Sequence, residues 1–293
     1  MPERASHPFD LLLARHLFAA GLAMAMAVRL ALHLLGPGDR ADRFPVAFLG
    51  ALTLVLVILA VARRAGVQWR RVFGPGLTRA SLPLLASAVP VNILVILMLI
   101  SGGSFLIYLP LSYVMPEFVE RWLLSVPAGY LVKSPEQLAR LVVLAVVIAP
   151  VVEEVLFRGL LMQRWARRWG TLNGVLVSSA LFAFGHNEWV GHFVSGVLFS
   201  VLYLHTRQLW VPIAAHALNN FIAIVPLGLY ELNHPPKATS MTLVQLEAEI
   251  PSAVLKLALG IALLAMYVHL YWPADRLRAA LTGPLPYDVN APV

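Results

Sequence analysis

Cysteine is absent from this chain of 293 residues. The chain therefore has no disulfide, no thiolate metal ligand and no thiol nucleophile. Charged residues are scarce as well, at 13% of the sequence, where a soluble globular protein has about 25%. Two catalytic patterns are also missing from the sequence, the H-E-x-x-H of zinc proteases and the G-x-S-x-G of serine hydrolases. These absences argue against a soluble protein, a thiol or serine hydrolase and a zinc protease of the H-E-x-x-H type.

What the chain has in abundance is apolar sequence, with 59% hydrophobic residues and a mean hydropathy of +0.77. Several apolar runs reach the roughly 20 residues with which a helix crosses a bilayer. We predict an all-α polytopic membrane protein of about eight transmembrane helices, with its active site in the core of the bundle. The predicted spans are residues 17–35, 45–62, 82–100, 138–161, 172–184, 190–204, 211–229 and 253–272. Residues 110–135 are interpreted as an interfacial or loop segment, and the tail after residue 272 is expected to be disordered.

The net charge of +7 suggests a nucleic-acid partner at first, but Lys and Arg also collect in the cytoplasmic loops of membrane proteins. No basic run is interleaved with the stacking aromatic residues that single-strand binding needs, so no nucleic-acid partner is expected. Placing the Arg-rich loop 63–79 in the cytoplasm puts the N-terminus, residues 164–168 and the tail on the same side. The loops 110–136 and 231–249, both net acidic, then lie outside. We expect a multi-pass protein of the plasma (inner) membrane, and the Arg- and Ala-rich composition is typical of bacteria.

Three ionisable residues, Glu153, Glu154 and Arg158, interrupt the predicted fourth span. Each costs roughly 2.5–3.5 kcal/mol at the bilayer centre on insertion scales, so their presence needs a reason. Glu154 and Arg158 are one helical turn apart in the favourable order, and they can neutralise each other. Glu153 points about 100° away and has no such local partner. It is a candidate general base, although a purely structural network between spans remains open.

Two later spans carry further polar residues, His186 at the end of the fifth and His216 with Asn220 in the seventh. His216 and Asn220 are at i and i+4, so they share one helix face, and both can donate hydrogen bonds. An interfacial histidine and a polar clamp between helices are the structural alternatives. The same interfacial interpretation is given to His192, His205 and His269.

A base, a second proton carrier and hydrogen-bond donors for an oxyanion would together form a hydrolytic site. No side-chain nucleophile accompanies them, so the attacking group would be water. Glu153, His186 and His216 lie at different depths along their spans. A kink at Pro150 is one way to bring them together.

These residues resemble the motifs of the CPBP family of intramembrane proteases, which includes the type II CAAX prenyl endopeptidases (Ras-converting enzyme) and the bacterial Abi proteins. The family's motifs are E-E-x-x-x-R, F-x-x-x-H and H-x-x-x-N. They match, in order, Glu153-Glu154-x-x-x-Arg158, Phe182-x-x-x-His186 and His216-x-x-x-Asn220. The resemblance covers residues 138–229, under a third of the chain.

The resemblance implies that Glu153 and His186 activate a water, while His216 and Asn220 stabilise the oxyanion. Glu154 and Arg158 would hold their helix in register and tune Glu153. We expect a metal-free glutamic mechanism without a cofactor. Zinc held by Glu and His is the less favoured alternative.

Two non-catalytic functions stay open, a membrane scaffold and a proton-coupled transporter, although no internal repeat of the transporter kind is present. The expected substrate is a membrane-embedded, C-terminally anchored or lipid-anchored protein or peptide, and the lipid bilayer is the other expected partner. The predicted organisation is N-terminal helices with an interfacial loop at 1–137, a protease core at 138–230, and a loop, last span and tail at 231–293.

Overall fold

The computed structural model describes residues 7–11, 44–120, 124, 132–186, 189–234 and 242–290. Within these ranges every regular element is a helix and no strand is present, which confirms the predicted all-α class. The helices are α1 Pro8–Leu11, α2 Phe44–Arg64, α3 Trp69–Phe73, α4 Leu82–Val114, α5 Pro116–Phe118, α6 (residues 135–169), α7 Thr171–Phe184, α8 Trp189–Thr206, α9 Trp210–Asn233, α10 Leu243–Ala248, α11 Ile250–Tyr271, α12 Ala274–Thr282 and α13 Pro286–Val289.

In the described part of the chain, three helices, α8, α9 and α11, are long and apolar enough to cross a membrane. The predicted total of about eight spans stays a prediction, and the first of them, residues 17–35, falls outside the described residues. The helix of the predicted third span does not end at residue 100 but continues without a break to Val114, while the bounds of the span itself stay a prediction. Its 33 residues extend over roughly 50 Å, well beyond the ~30 Å hydrocarbon core of a bilayer.

Helix α6 carries the Glu-Glu motif and is wound in an unusual way. Its ends, Pro135–Val142 and Gln163–Trp169, and its centre, Ala149–Glu154, are α-helical, while residues 143–148 and 155–162 are π-helical. Such wide turns inside α-helices are frequent at functional sites. The motif carboxylates therefore end the short α-helical stretch between two wide turns.

Proline explains part of this winding. In the first wide turn the N–H of Ala149 bonds to the carbonyl of Leu144, five residues back. The next residue, Pro150, has no N–H to offer. The carbonyl of Ala145 therefore has no partner five residues on within its own helix, and a group from elsewhere must satisfy it.

Small residues let α6, α7 and α8 pack closely. Gly170 ends α6 with φ +87°, a conformation that glycine adopts without the steric cost that a Cβ imposes, and α7 starts at the next residue. On α8, a Cβ built at Gly196 would lie 2.8 Å from the Cβ of Ser179 on α7. The absence of a side chain at Gly196 therefore sets how closely α8 approaches α7.

The expectation of a disordered tail is wrong for residues 274–290, which form α12, α13 and their connections. The tail folds back because Tyr287, 2% exposed, packs edge-on against Phe9 at 4.9 Å between ring centroids. The backbone N–H of Tyr287 donates to Oε1 of the buried Gln163. Asp288 pairs with Arg167 at 3.3 Å.

The basic segments meet at this same end of the bundle. Asn290 donates through Nδ2 to the carbonyls of Arg71 (2.9 Å) and Arg207 (3.0 Å). At another place the N–H of Leu243 donates to Glu120, so the two segments expected to lie outside also touch each other. The orientation of these segments relative to a membrane stays a prediction.

Candidate active site

The centre of the site is a buried ion pair on α6. Arg158 Nη1 donates to Glu154 Oε1 at 2.8 Å, and both side chains are 0% exposed. Arg158 Nη2 donates to the carbonyl of Gly196 on α8 at 3.1 Å. The guanidinium carbon also lies 4.4 Å from the ring centroid of Phe182. The pairing of Glu154 with Arg158 expected from their spacing is thus confirmed, and the same arginine ties α6 to α8.

His216 of α9 lies between the two motif carboxylates. Its Nδ1 is 2.9 Å from Glu154 Oε1. A carboxylate ion only accepts hydrogen bonds, so this nitrogen carries the proton. Its other nitrogen, Nε2, faces Glu153 Oε2 at 3.9 Å, beyond direct hydrogen-bonding distance. The ring of Phe199 stacks on the imidazole at 5.3 Å with an angle of 23° between the planes.

Glu153 and Glu154 have different surroundings although they are adjacent. Oε1 of Glu154 accepts from both Arg158 and His216. Oε2 is buried without a hydrogen-bond partner within the described residues in both glutamates, so the difference lies in the donors at Oε1 of Glu154 and in exposure. The Glu153 side chain is nevertheless 27% exposed, whereas that of Glu154 is 0% exposed. Glu154 is therefore held by cationic and imidazole donors, and Glu153 is the carboxylate that a molecule from outside can reach.

His186 joins this group through Phe182. Its Nδ1 lies 2.8 Å from the carbonyl of Phe182, one helical turn before it. The Phe182 ring is 1% exposed and packs against the rings of His186 (4.7 Å) and His216 (5.8 Å) as well as the guanidinium of Arg158. The spacing F-x-x-x-H therefore places one apolar ring against three of the expected site residues.

Asn220 has a different contact from the rest of the set. Its Nδ2 donates at 2.7 Å to the carbonyl of Ala145, the carbonyl that Pro150 leaves without a partner in α6. One of the two amide hydrogens of Asn220 is thereby used to join α9 to the wide turn of α6. The other hydrogen remains for the oxyanion role that the resemblance implies.

Sequence reasoning missed three residues that complete the surroundings of the site. Phe199 stacks on His216, and Gly196 supplies the carbonyl that receives Arg158. His192, interpreted above as an interfacial histidine, stacks on His186 with ring centroids 4.0 Å apart. Gly196 and Phe199 lie on α8 four and seven residues after His192, so helical periodicity counted from His192 could have placed them on the facing side.

No group of three or more His, Asp or Glu side chains in position to hold a metal ion occurs among the described residues. His216 uses Nδ1 for Glu154 and keeps Nε2, the single nitrogen with which a histidine binds a metal ion. The metal-free mechanism stays a prediction, with zinc as the less favoured alternative.

Comparison with known proteins agrees with this picture. The family model described as Type II CAAX prenyl endopeptidase Rce1-like matches residues 135–222, the range that begins with α6 and includes every site residue named above. "Putative membrane peptidase YdiL" of Bacillus subtilis (strain 168) is 27% identical over 109 residues.

That alignment covers 36% of this chain and 44% of the relative, so the chain spans under half the length of the curated relative. No solved structure matches the chain. The ordered motifs, their meeting around Glu154, Arg158 and His216, and the two sequence matches support a CPBP-type protease, and they make residues 135–222 similar to the Rce1-like type II CAAX prenyl endopeptidase domain.

Proposed function

We propose that this chain is an intramembrane endopeptidase that hydrolyses a peptide bond with a water molecule deprotonated by Glu153. The observation that carries the proposal is the position of His216, with one ring nitrogen on Glu154 at 2.9 Å and the other facing Glu153 at 3.9 Å. Glu154 is occupied by two donors and fully buried. Glu153 is therefore the member of the pair that can meet a water and a substrate carbonyl.

In the first step a water oxygen attacks the carbonyl carbon and gives a proton to Glu153. The carbonyl oxygen becomes an oxyanion. His216, when protonated on both nitrogens, donates to that oxyanion from Nε2 while Glu154 accepts from Nδ1. Arg158 balances the charge of Glu154 and holds the carboxylate in place. Such fixed donors are most effective where bulk water is excluded.

In the second step the carbon–nitrogen bond breaks and the leaving amine takes up a proton. His186 suits this transfer, because Nδ1 donates to the Phe182 carbonyl and Nε2 can accept the proton that Glu153 took from the water and pass it to the amine nitrogen. The carboxylic acid that forms gives its proton to the amine, so the products are a carboxylate and an ammonium ion, and no redox partner or cofactor is needed.

The substrate in this proposal is a membrane-embedded or lipid-anchored protein or peptide. Glu153 lies in α6, at the centre of a chain in which α8, α9 and α11 are long and apolar enough to cross a membrane. A segment already in the bilayer reaches such a site more easily than a soluble peptide does. Preferential cleavage of unanchored soluble peptides would contradict this assignment.

The test is cleavage of a quenched, membrane-anchored peptide library by the detergent-purified full chain. Glu153→Gln keeps the shape of the side chain and removes its basicity, so kcat should fall at least about 100-fold, as expected for the loss of general base catalysis. His216→Ala should also lose activity.

The matched control is Glu231→Gln. Glu231 is another buried glutamate, on the same helix as His216, and Gln can still accept the hydrogen bond from the N–H of Val132. Wild-type activity is expected for this control.

A strong chelator added to each sample tests the zinc alternative. Activity that resists the chelator and is lost in Glu153→Gln supports the proposal. Activity lost with the chelator and restored by zinc would replace it with a metal mechanism. Absence of cleavage by the wild type across the library would contradict the endopeptidase assignment and favour a scaffold or transporter.

A further inference from the structure

Beyond the residues of the family motifs, His192 lies against the proposed proton donor. We propose that His192 is a positioning residue whose stacked ring sets the orientation of the His186 imidazole, so that Nε2 of His186 faces the substrate. This inference rests on the proposed function for its kinetic consequence. Its structural part is independent of that function.

The geometry is that of a stacked pair. The rings of His186 and His192 have centroids 4.0 Å apart and planes inclined by 16°. His192 is the fourth residue of α8, and His186 follows the end of α7. The two rings therefore come from separate helices, and their contact depends on how the ends of α7 and α8 approach each other.

Phe182 contacts both members of the pair. Its ring centroid is 4.7 Å from that of His186 and 6.2 Å from that of His192. The same ring is 5.8 Å from that of His216. The His186 ring is therefore in contact with two aromatic neighbours, and one of these also touches the proposed oxyanion donor.

The hydrogen bond of His186 restrains its imidazole ring, and the stacked ring of His192 adds a second restraint. Nδ1 donates to the Phe182 carbonyl at 2.8 Å, which sets the tautomer. The terminal torsion of a histidine side chain is broad and only weakly restrained by itself. A flat ring stacked at 4.0 Å restricts rotation about that torsion. The direction of Nε2 thus depends on the Nδ1 hydrogen bond and on His192 together.

The test compares His192→Phe with His192→Leu in the full-length protein. Phe keeps a flat ring of similar size and cannot carry a proton, whereas Leu has similar volume and no flat face. Aromatic stacking contributes modestly beyond burial, so we expect His192→Leu to lower kcat about three- to tenfold with KM unchanged. His192→Phe should stay within about twofold of the wild type.

The matched control is His234→Leu at the end of α9. His234 stacks on Tyr230 with centroids 4.4 Å apart and a plane angle of 15°. Its Nδ1 also lies near the carbonyl four residues earlier, at 3.2 Å. It therefore repeats the local arrangement of His186 at a place that touches none of the site residues named above. Its substitution should leave kcat and KM unchanged.

A second measurement does not depend on activity. Histidine-selective ¹³C and ¹⁵N labelling reports the tautomer and the environment of each ring, and His186→Gln assigns the signal of His186. In His192→Leu that signal should shift or broaden, while the signal of His234 stays in place. In His192→Phe the signal should indicate the same tautomer as in the wild type.

The outcomes test the positioning role of His192 and the proposed function separately. Equal loss of kcat in the Phe and Leu variants would overturn the positioning role, because the imidazole itself would then be required. Wild-type kcat and an unmoved His186 signal in His192→Leu would overturn it as well. A wild type that cleaves no anchored peptide contradicts the proposed function, while the labelling measurement still supports or overturns the stacking role.

Discussion

The hydrogen bond between Asn220 and Ala145 gives the most specific prediction, because proline creates the need for it. The amide of Asn220 donates at 2.7 Å to a carbonyl whose helical neighbours cannot serve it. Ala149 already bonds to Leu144, and Pro150 has no N–H. Replacing Asn220 by Leu removes the donor and keeps most of the volume.

The free energy of unfolding that Asn220→Leu loses can be bounded by two kinds of measurement. An orphaned buried carbonyl costs about 1–3 kcal/mol, whereas hydrogen bonds between transmembrane helices average about 0.6 and reach about 1.7 kcal/mol. The Ala145 carbonyl has no substitute partner in its helix, so we expect about 1.5 kcal/mol, roughly a tenfold change in the unfolding equilibrium constant. In a Pro150→Ala background the new N–H can serve Ala145. The cost of Asn220→Leu should then fall to about 0.5 kcal/mol.

The assay is reversible unfolding of the purified protein in mixed micelles with increasing denaturing detergent, followed by helical circular dichroism. The four members of the cycle are the wild type, Asn220→Leu, Pro150→Ala and the double variant. Asn233→Leu is the control, since that exposed amide also donates to a backbone carbonyl, that of Leu229, on the same helix. An equal cost of Asn220→Leu with and without Pro150 would refute the reasoning, as would the absence of any cost.

Three more predictions follow from the contacts above. Arg158→Met should destabilise the protein by about 3–5 kcal/mol because Glu154 is left as an uncompensated buried charge. Adding Glu154→Gln should recover part of that loss in the same unfolding assay. No recovery in the double variant would contradict the ion-pair account. Tyr287→Ala should lower the free energy of unfolding by about 3 kcal/mol, because the packing of a 2% exposed side chain is lost. Thermal denaturation measures this against Tyr113→Ala, a control at a side chain that is 71% exposed. Equal effects of the two substitutions would mean that the tail contributes no stability. Glu153→Cys introduces the sole thiol of a cysteine-free chain, and we expect a water-soluble maleimide to label it in proteoliposomes from one side only. Labelling from both sides would favour a through-path and hence a transporter.

Several features of the site could be read from residue spacing, because they are local. Glu154 and Arg158 are one turn apart, and their pairing needs only that α6 be helical there. The same holds for Phe182 and His186, where the side chain meets a carbonyl one turn earlier. Periodicity also predicted the helical class. In each case the interacting atoms belong to one helix, so helix geometry alone brings them together.

Other features needed the packed chain. The wide turn before Pro150 depends on a carbonyl whose partner, Asn220, is 75 positions away. The stack of His186 on His192 depends on the approach of two helices, and periodicity treats each histidine separately. The ordered tail was missed because its anchor, Tyr287, packs against residues from distant parts of the chain, among them Phe9 and Gln163.

From the amino-acid sequence it follows that this protein is helical and strongly apolar. It also follows that two carboxylates and an arginine lie in one apolar helix, and that two polar motifs come later in the chain. These properties follow from composition and helical periodicity, which act within single segments. Packing of the helices determines which carboxylate His216 bonds to and which one it only faces. That choice depends on side-chain distances across α6 and α9, where 2.9 Å forms a hydrogen bond and 3.9 Å does not.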